Sequence, residues 1–449
     1  MGAQGKSARQ SASPVTAAEF AERLSALTPS RKLAVAFSGG PDSLALLILA
    51  AQWAKRRKSV LLHAFTVDHG LRAASAGEAR RAAAMAREIG VAHRILRWKG
   101  EKPASGIQAA ARDARYRLLA DACREAGVSD LLVAHHLEDQ AETFLLRLAR
   151  GSGVDGLSAM TSSRPLAEGK TSIRILRPLL DLPRERLRAT VQRSGIGPIE
   201  DPSNENEAFD RVKARKALAA LAPLGLDAAR LARTAGQMAR VRAALEASTN
   251  TLLADHARLT PFGHVEAESG ALIAAPREIG LRALAAIIRA VSGHDYSPRL
   301  EALEGVYKAL VKGELGAGRT LAGVKLLAPA GRLLAAREFA AADKAASLSL
   351  GQGEDGLWDG RFQVALEKAP RGRRLSVRAL GQAGLARLAA HDIVIPKVPK
   401  MTLFALPAFW RDDTLVAAPH LGTLDPGIVC HASLRRRAGV WLKESPDNA

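Results

Sequence analysis

Short apolar runs alternate with longer segments of helical pattern over residues 31 to 180. The apolar runs, which we predict to be strands, are KLAVAF (32–37), LLHAFTV (61–67), HRILRW (93–98), DLLVAHH (130–136) and IRILRPL (173–179). The segments between them are predicted to be helices at 43–57, 76–90, 107–126 and 138–150. Strands and helices that alternate at this spacing form a parallel sheet with helices on both faces. The sequence therefore predicts an α/β fold for this part of the chain.

The segment SGGPDS (38–43) lies between the first predicted strand and the first predicted helix. A glycine-rich turn at this place surrounds an anion with backbone N–H groups, and the helix N-terminus adds its positive dipole. A bare carboxylate repels phosphate, so Asp42 suits the site only if it holds a Mg²⁺ ion that bridges to the phosphate. The alternative is an ordinary turn in which Asp42 or Ser43 caps the next helix.

Two commoner nucleotide motifs do not explain this loop. No GK dipeptide stands where a Walker A loop would need it. The stretch GSGVDG (151–156) fits the dinucleotide pattern GxGxxG, but it follows a predicted helix instead of a strand. The sequence thus indicates a phosphate loop of another kind.

The chain is strongly basic, with 65 Lys and Arg against 45 Asp and Glu and a formal net charge of +20. This excess favours a polyanionic partner such as nucleic acid, although a genome rich in arginine codons would also produce it. The N-terminal MGAQGKSARQSASP lacks the apolar core of a secretory signal, and no run approaches the about 18 apolar residues of a membrane span. We expect a cytoplasmic protein with no membrane association.

The loop SGGPDS resembles the SGGxDS loop of the N-type ATP pyrophosphatases, or PP-loop family, which cleave ATP between its α and β phosphates. Further segments resemble one branch of that family, the tRNA(Ile)-lysidine synthetases, in the same order along the chain. They are VDHGLR (67–72), AARDARYRLL (110–119), AHHLEDQAETFLLRLARGSGVDGLSAM (134–160), RPLLDLPRERL (177–187) and IEDPSNENEAFDR (199–211). The resemblance covers residues 32–215, nearly half of the chain.

The resemblance implies a Rossmann-like parallel sheet and a carbon–nitrogen ligase that modifies tRNA. In such enzymes ATP adenylates the C2 oxygen of the wobble cytidine of a CAU-anticodon isoleucine tRNA, and pyrophosphate leaves. The ε-amine of free L-lysine then attacks C2, AMP leaves and lysidine results. ATP, Mg²⁺, L-lysine and tRNA(Ile) are the expected ligands, and a homodimer is an alternative that the sequence leaves open.

The expected ATP site combines the phosphate loop with the end of the second strand. Its predicted members are Ser38, Gly39, Gly40, Pro41, Asp42, Ser43, Asp68 and His69. Asp42 is the predicted Mg²⁺ ligand and a catalytic residue. Arg112 and Arg115, three residues apart on one helix, are also predicted to be catalytic by clamping phosphate or tRNA. The alternatives are a solvated helix face for the two arginines and a polar strand end for His69.

The expected lysine site lies at the carboxyl edge of the sheet, where ligands bind in open α/β folds. Asp139 and Glu142, three apart near a helix start, are predicted to hold the lysine ammonium group, and one of them to take its proton. His135, Gly151 and Gly153 are predicted to contact the substrate. The alternative for the two acids is stabilisation of the helix dipole. His135 and His136 would point to opposite faces of a strand, which disfavours a shared metal ion.

Arg211 and Arg215 are predicted to contact tRNA, and they lie in a segment that departs from the family pattern. The family shows Arg-Asn-x-x-Arg after the phenylalanine, whereas this chain has Val212 in place of Asn. Glu138 likewise replaces the first Asp of the pair that follows His-His-Leu, so a carboxylate is kept there.

Five regions are expected along the chain. They are a tail with a first helix (1–30), the catalytic domain (31–217), a helical tRNA-binding domain (218–345), a linker (346–372) and a small α+β tRNA-binding domain with a tail (373–449). The third of these regions, 218–345, includes a long amphipathic helix at 226–258.

Three other functions share part of these features. A tRNA thiolase needs paired cysteines or a cysteine-bound cluster to carry sulfur, but the chain has only Cys123 and Cys430, far apart. An amide synthetase would share SGGxDS but not the segment 134–160. A non-catalytic RNA-binding protein is disfavoured because Asp42, Asp139 and Glu142 are all present.

Overall fold

The computed structural model describes residues 12–57, 59–100, 102–103, 105–167, 172–200, 210–370, 372–435 and 443–444. The first part of the expected N-terminal tail and residues 201–209 of the motif IEDPSNENEAFDR lie outside the described residues. The chain divides into two compact units, Met1–Arg242 and Ala243–Ala449. In the part that the structure covers, no helix is both long and apolar enough to cross a membrane.

The first unit is built on a six-stranded sheet with the order β3-β2-β1-β4-β6-β5. Its strands are β1 (Lys32–Ala36), β2 (Leu61–Asp68), β3 (Ala92–Arg97), β4 (Asp130–Leu132), β5 (Ser163–Ala167) and β6 (Ile173–Leu176). All neighbours pair in parallel except β5, which runs antiparallel to β6 at the edge. The strand order reverses between β1 and β4, which opens a crevice at their carboxyl ends.

Helices cover both faces of this sheet, as the alternating pattern predicts. The helices of the first unit are α1 (Ala17–Ala26), α2 (Pro41–Lys55), α3 (Ser75–Ile89), α4 (Ile107–Ala126), α5 (Leu137–Ala149), α6 (Val154–Leu157), α7 (Arg184–Ser194), α8 (Asp210–Leu221) and the start of α9 (Ala228–His256). Leu33 and Val35 of β1 join the core formed with α1, α2, α3 and α7. Ala34 and Ala36, which alternate with them, face the core formed with α4.

Helix α2, which follows the phosphate loop, is buried on nearly all sides. Residues 43–50 of this helix are all buried because α1 and α7 cover the side that faces away from the sheet. A helix that is apolar around its whole circumference is stable only in such a position. The loop that precedes α2 therefore stands on a fixed support.

Gly39 of the phosphate loop has a φ of +83°, and a Cβ at this position would overlap the side chain of Ile199. The backbone N–H of Ile199 also donates a hydrogen bond to the Gly39 carbonyl at 2.9 Å. The segment that follows α7 thus packs directly on the loop, and only glycine satisfies both the backbone conformation and this contact.

Replacing Gly39 by Ala is expected to lower the free energy of unfolding by at least about 1 kcal/mol, because alanine is strained at positive φ. Gly40→Ala is the matched control. Gly40 has a φ of −67°, and a Cβ there would have its nearest contact at 3.6 Å. Urea denaturation of both variants measures the difference. Equal losses for the two variants would contradict this account of the loop.

The second unit contains three sheets. Its strands are β7 (Ala257–Leu259), β8 (Val265–Glu268), β9 (Arg319–Leu321), β10 (Val324–Leu327), β11 (Arg332–Arg337), β12 (Leu348–Leu350), β13 (Glu354–Trp358), β14 (Phe362–Lys368), β15 (Leu375–Ala379), β16 (Pro407–Arg411), β17 (Thr414–Ala418), β18 (Gly422–Thr423), β19 (Val429–Leu434) and β20 (Lys443–Glu444). The sheet orders are β20-β7-β8-β11-β10-β9, β12-β15-β16-β17-β18 and β13-β14-β19.

The helices of the second unit pack on these sheets. They are α10 (Ser269–Ala274), α11 (Arg277–Ser292), α12 (Leu300–Val311), α13 (Phe339–Asp343), α14 (Gly381–Ala389) and α15 (Lys400–Phe404). The largest apolar cluster joins α11 and α12 to β8, β10 and β11. A second one joins β14 to β15, β16 and β17.

The structure corrects the expected organisation of the second half in two places. The region 218–345 contains β7 to β11 as well as helices, so it is mixed and not wholly helical. Residues 346–372 are not a linker, because β12 and β14 lie within them and pair with β15 and β19. The sheets therefore draw strands from both sides of the expected boundary at 373.

Candidate active site

Three helices of the first unit begin close together, and each contributes to one polar cluster. Asp42 lies in the first turn of α2, Glu138 and Asp139 lie in the first turn of α5, and Arg184 opens α7. The Glu138 carboxylate accepts a hydrogen bond of 3.0 Å from the backbone N–H of Arg184. Acidic side chains are stabilised by the positive ends of helix dipoles, so carboxylates concentrate at this edge.

His136, at the start of α5, joins the three carboxylates. Its Nδ1 is 2.9 Å from Oε2 of Glu138, and its Nε2 is 3.6 Å from Oδ2 of Asp42 and 3.5 Å from Oδ2 of Asp139. The side chain is 4% exposed. One imidazole therefore bridges the phosphate loop of α2 to the acidic start of α5.

The charge of His136 is set by these neighbours. Burial lowers the pKa of His136, but the carboxylates of Asp42, Glu138 and Asp139 raise it to about 10. Burial raises the pKa of Asp42, whereas His136 and Arg184 lower it below its ordinary value. His136 is thus an imidazolium at neutral pH and holds the Asp42 carboxylate in its charged form.

His136 is expected to remain doubly protonated at about pH 8, with NMR ¹⁵N shifts of an imidazolium. The pKa in the folded chain, about 10, lies above the ordinary value of 6.5. The charge therefore stabilises the fold fully below about pH 6.5, and this contribution is lost as the pH rises toward about 10. A His136→Gln variant should lack this alkaline loss of stability. A ring that titrates near pH 6.5 in the wild type would contradict the assignment.

The adjacent His135 has a different environment. Its Nδ1 accepts a hydrogen bond of 3.1 Å from Nε of Arg177. Burial, reinforced by Arg177, lowers the pKa of His135 to about 3, against the opposing effect of Asp139. His135, which the sequence predicts to contact substrate, is therefore a neutral acceptor, and His136 is the histidine that contacts Asp42.

Two ion pairs connect α5 to α8. Arg211 Nη1 is 3.2 Å from Oδ1 of Asp139, and Arg215 Nε is 2.6 Å from Oε1 of Glu142. The Glu142 side chain is 1% exposed, and its Oε2 has no hydrogen-bond partner. Burial raises the pKa of Glu142, and Arg215 only partly offsets this effect. Glu142 is thus a buried carboxylate with one free oxygen.

Val212, which stands where the family pattern has Asn, lies between these two arginines on α8. Its side chain is 9% exposed, and α8 packs on α5. An apolar side chain fits such a buried place without needing a hydrogen-bond partner. Val212 is thus a buried apolar residue of the helix that packs on α5.

A cavity of about 390 Å³ lies beside the phosphate loop. Its lining includes Ser38, His69 and Arg115, together with apolar side chains of β1 and β2 such as Phe65. His69 stacks edge-on against Trp98 at 6.2 Å, and its Nδ1 has no hydrogen-bond partner. Two predicted members of the ATP site, Ser38 and His69, thus line one cavity together with Arg115, which the sequence predicts to be catalytic.

The remaining members of the predicted ATP site have structural contacts. Ser43 donates to the Gly40 carbonyl at 3.0 Å, and its hydroxyl is 3.0 Å from that of Ser38. Pro41 is the first residue of α2, where a missing N–H costs nothing. Asp68 accepts hydrogen bonds from the Gly70 N–H and from the Ser75 hydroxyl, so it shapes the turn after β2.

Other predicted residues lie away from the carboxylates. Gly151 and Gly153 follow the C-terminal end of α5, about 18 Å along the helix from Asp139. Reciprocal hydrogen bonds between Gln140 and Met160 hold this loop to α5. Arg112 is exposed, with its guanidinium 5.2 Å from the centre of the Tyr116 ring.

Within the described ranges, no group of three His, Cys, Asp or Glu side chains is arranged to hold a metal ion. Asp42 is a single carboxylate, and His136 and Arg184 already contact it. Cys123 is buried in the core and burial raises its pKa to about 12, while burial raises that of Cys430 to about 11. Neither thiol is suited to nucleophilic sulfur transfer.

Three residues of the polar cluster, Arg184, Glu138 and His136, are not among those that the sequence pattern predicts for the site. Arg184 Nε is 3.3 Å from Oδ1 of Asp42, although the two are separated by 142 residues. Arg184 lies in the segment RPLLDLPRERL and the two others lie in AHHLEDQAET, so all three belong to segments that resemble the family. Their contacts could not be predicted, because only the folded chain shows that the starts of α2, α5 and α7 lie close together.

Comparison with known proteins gives a consistent result. A family model described as a PP-loop domain matches residues 13–222. The tRNA(Ile)-lysidine synthase of Bradyrhizobium diazoefficiens is 44% identical over 305 residues, which cover 66% of this chain and 83% of the relative. That of Ruegeria pomeroyi is 40% identical over 394 residues, covering 88% and 90%. The similarity therefore extends beyond the first unit.

Among solved structures, the U34-tRNA thiolase of Methanococcus maripaludis aligns over 50% of this chain and 78% of its own. The alignment has 17% sequence identity and a TM-score of 0.43.

Proposed function

Because the chain belongs to the family of tRNA(Ile)-lysidine synthases, which are ligases, we propose that it joins free L-lysine to C2 of the wobble cytidine of a CAU-anticodon isoleucine tRNA. The PP-loop domain at residues 13–222 supports the use of ATP. The observation that carries the proposal is the bridge made by His136, which links Asp42 of the phosphate loop to Asp139. A nucleotide site and an amine site then lie side by side.

In the first step, the C2 oxygen of the cytidine attacks the α-phosphorus of ATP, and the bond to the β-phosphate breaks. The cavity lined by Ser38, His69 and Arg115 accepts the nucleoside part of ATP, while the phosphates lie at the N-terminus of α2. Backbone N–H groups there are oriented before the reaction, which is the most effective way to stabilise a charged transition state. The products are an adenylated cytidine and pyrophosphate.

Mg²⁺ fits this site as an ion that arrives with ATP. Mg²⁺ in nucleotide sites is held by one or two carboxylates together with substrate phosphates. Asp42, in the first turn of α2, offers one such carboxylate, kept in its charged form by His136 and Arg184. When bound, the ion would neutralise charge on the phosphates.

In the second step, the ε-amine of lysine attacks C2 and AMP leaves. Asp139 and Glu142 are suited to hold the ammonium group, since both are carboxylates at one end of α5. The amine must lose a proton before it attacks, and a base works best with a pKa near the working pH. Burial raises the pKa of Glu142, so we assign the proton to its free oxygen Oε2.

The basic surface supports tRNA as the partner. Arg211 uses one N–H for Asp139, but its side chain is 43% exposed, so its other N–H groups can reach an RNA phosphate. On α9, Arg230, Arg233 and Arg240 are exposed as well. We propose that these side chains position the tRNA, with further contacts from the second unit.

The test is one reaction followed by mass spectrometry. Purified protein is incubated with ATP, Mg²⁺, L-lysine and an unmodified CAU-anticodon isoleucine tRNA, and the digested nucleosides are weighed. The expected product is a cytidine that has gained lysine and lost water. It should vanish when lysine is omitted or when the wobble base is changed to U. ATP cleavage to AMP without that product would contradict the assigned nucleophile or tRNA.

A further inference from the structure

Tyr116 on α4 lies among four arginine side chains, which we call the Tyr116 cluster. The guanidinium carbons of Arg112 and Arg164 are 5.2 Å and 5.4 Å from the centre of the Tyr116 ring, within the range of cation–π attraction. Arg115 and Arg177 complete the cluster electrostatically. Arg112, Arg115 and Tyr116 share one helix face, whereas Arg164 comes from the edge strand β5.

The cluster has no carboxylate partner in the part of the chain that the structure describes. Arg177 donates to His135 Nδ1 and to the Thr161 carbonyl at 2.6 Å, and both acceptors are neutral. Arg112 and Arg164 have the Tyr116 ring as their contact. Four like charges without a counter-charge are unfavourable, and arginine cannot relieve the repulsion by losing its proton at neutral pH.

The ionisation of the cluster reflects this imbalance. Burial lowers the pKa of Arg177 to about 10, with Arg164 and Arg112 contributing. Burial raises the pKa of the Tyr116 hydroxyl, but the four arginines have the larger effect and bring this pKa below its ordinary value. Both lowered pKa values reflect the positive charge of the cluster, and an anionic ligand would neutralise that charge.

Exposure within the cluster increases from the floor of the site outward. Arg177 is 3% exposed, Arg115 and Tyr116 are half-buried, and Arg112 and Arg164 are exposed. Arg115 also lines the cavity that contains Ser38 and His69. The cluster thus leads from the nucleotide cavity to the protein surface.

We propose that the outer part of the Tyr116 cluster, Arg112 and Arg164, binds phosphodiester groups of the RNA substrate next to the target nucleotide. The proposal rests on the proposed function, because it places this RNA at the nucleotide cavity. Guanidinium groups bind phosphate oxygens through paired N–H donors. Pyrophosphate can bind the backbone N–H groups of the phosphate loop. A polynucleotide that reaches the nucleotide cavity must instead cross the exposed surface that carries Arg112 and Arg164. Tyr116 is a positioning residue that holds the two guanidinium groups together.

The central experiment measures RNA affinity for Arg164→Gln over a series of salt concentrations. The control, Arg124→Gln, removes the same charge from the other end of α4, where Arg124 pairs with exposed Asp121. Losing one phosphate contact should weaken RNA binding and reduce the slope of log K against log salt by about 1. Arg164→Gln should show this change and Arg124→Gln should not. Equal slopes for both variants would overturn the proposal.

A second pair of variants tests the positioning role. Tyr116→Phe keeps the aromatic ring and should bind RNA as the wild type does, whereas Tyr116→Leu loses cation–π attraction and should bind several-fold more weakly. ATP and pyrophosphate binding, measured by calorimetry without RNA, should be the same in Arg164→Gln and wild type. A loss there instead of in RNA binding would assign the cluster to the nucleotide phosphates and overturn the RNA assignment.

The outcome is separable from that of the proposed function. If the wild type forms lysidine but Arg164→Gln binds RNA with an unchanged salt slope, only the role of the cluster is wrong. If the wild type binds the tRNA and Arg164→Gln reduces the slope, but no lysidine forms, the cluster stands and the reaction is wrong. Absent RNA binding by the wild type would overturn both.

Discussion

Asp42→Asn is expected to lower the rate of lysidine formation by about 1,000-fold while the protein remains folded. The variant loses the charge that faces the phosphates, and loss of one such electrostatic group costs about 100- to 1,000-fold in rate. It also places an amide beside His136 and Arg184, two cations that Asp42 contacts in the wild type. The measurement is single-turnover formation of the modified nucleoside, with thermal unfolding as the test of integrity.

The fold should tolerate this change because His136 keeps Glu138 and Asp139 as partners. Asp121→Asn is the matched control, since Asp121 is an exposed carboxylate on α4 that pairs with Arg124. Turnover of Asp42→Asn close to that of Asp121→Asn would remove Asp42 from the mechanism. An unfolded Asp42→Asn protein would instead show that the cluster at the helix starts is chiefly structural.

Glu142→Gln is expected to separate the two half-reactions. Lysine should require about 100-fold higher concentration for half-maximal rate, because a hydrogen bond to a charged group contributes about 1.5–3 kcal/mol. The proton acceptor is lost as well, so the second step should slow. Pyrophosphate release with ATP and tRNA in the absence of lysine should stay near the wild-type rate, since Glu142 contacts Arg215 and not the phosphate loop.

Glu125→Gln provides the control for Glu142→Gln, because Glu125 is an exposed partner of Arg94. A KM for lysine that is unchanged relative to this control would contradict the ammonium site. Equal loss of pyrophosphate release and lysidine formation would contradict the division of labour between Asp42 and Glu142. Together with Asp42→Asn, the variant tests both halves of the proposed site.

The sequence predicted the catalytic half well because its signals are local. Each of the five apolar runs predicted to be strands overlaps a strand of the PP-loop fold, and β2 (61–68) differs from the predicted run by one residue. The helices start within two residues of their predicted positions. Burial on both faces of a parallel sheet produces short continuous apolar runs, and their length and flanking residues distinguish them from a longer buried helix such as α2.

The contacts across the site could not be predicted in the same way. Arg184 is 142 residues from Asp42, and no local pattern states that α2, α5 and α7 begin at one place. The predicted strand DLLVAHH ends at Leu132 in the structure, so the two histidines lie in the extended segment before α5. The edge strand β5 was not predicted, because SRPLA contains a proline and little alternation of apolar and polar residues. Proline is tolerated in strands at the edge of a sheet.

The second unit was the least predictable part. Its strands are short, such as VEAE (265–268), and a run such as RLLAAR (332–337) fits a helix as well as a strand. These segments became strands because antiparallel partners are available, for example β10 beside β11. Whether a short segment forms a strand depends on such a partner strand, and a local sequence pattern does not contain that information.

The polar cluster at the helix starts is electroneutral before any substrate arrives. Its formal charges are four negative and four positive: Asp42, Glu138, Asp139 and Glu142 against His136, Arg184, Arg211 and Arg215. If the proposed reaction takes place here, an incoming lysine ammonium group would take the place of an arginine at a carboxylate, and the displaced guanidinium would become available to a phosphate. Amine capture and RNA capture would then favour each other, with α8 as the exchanging element.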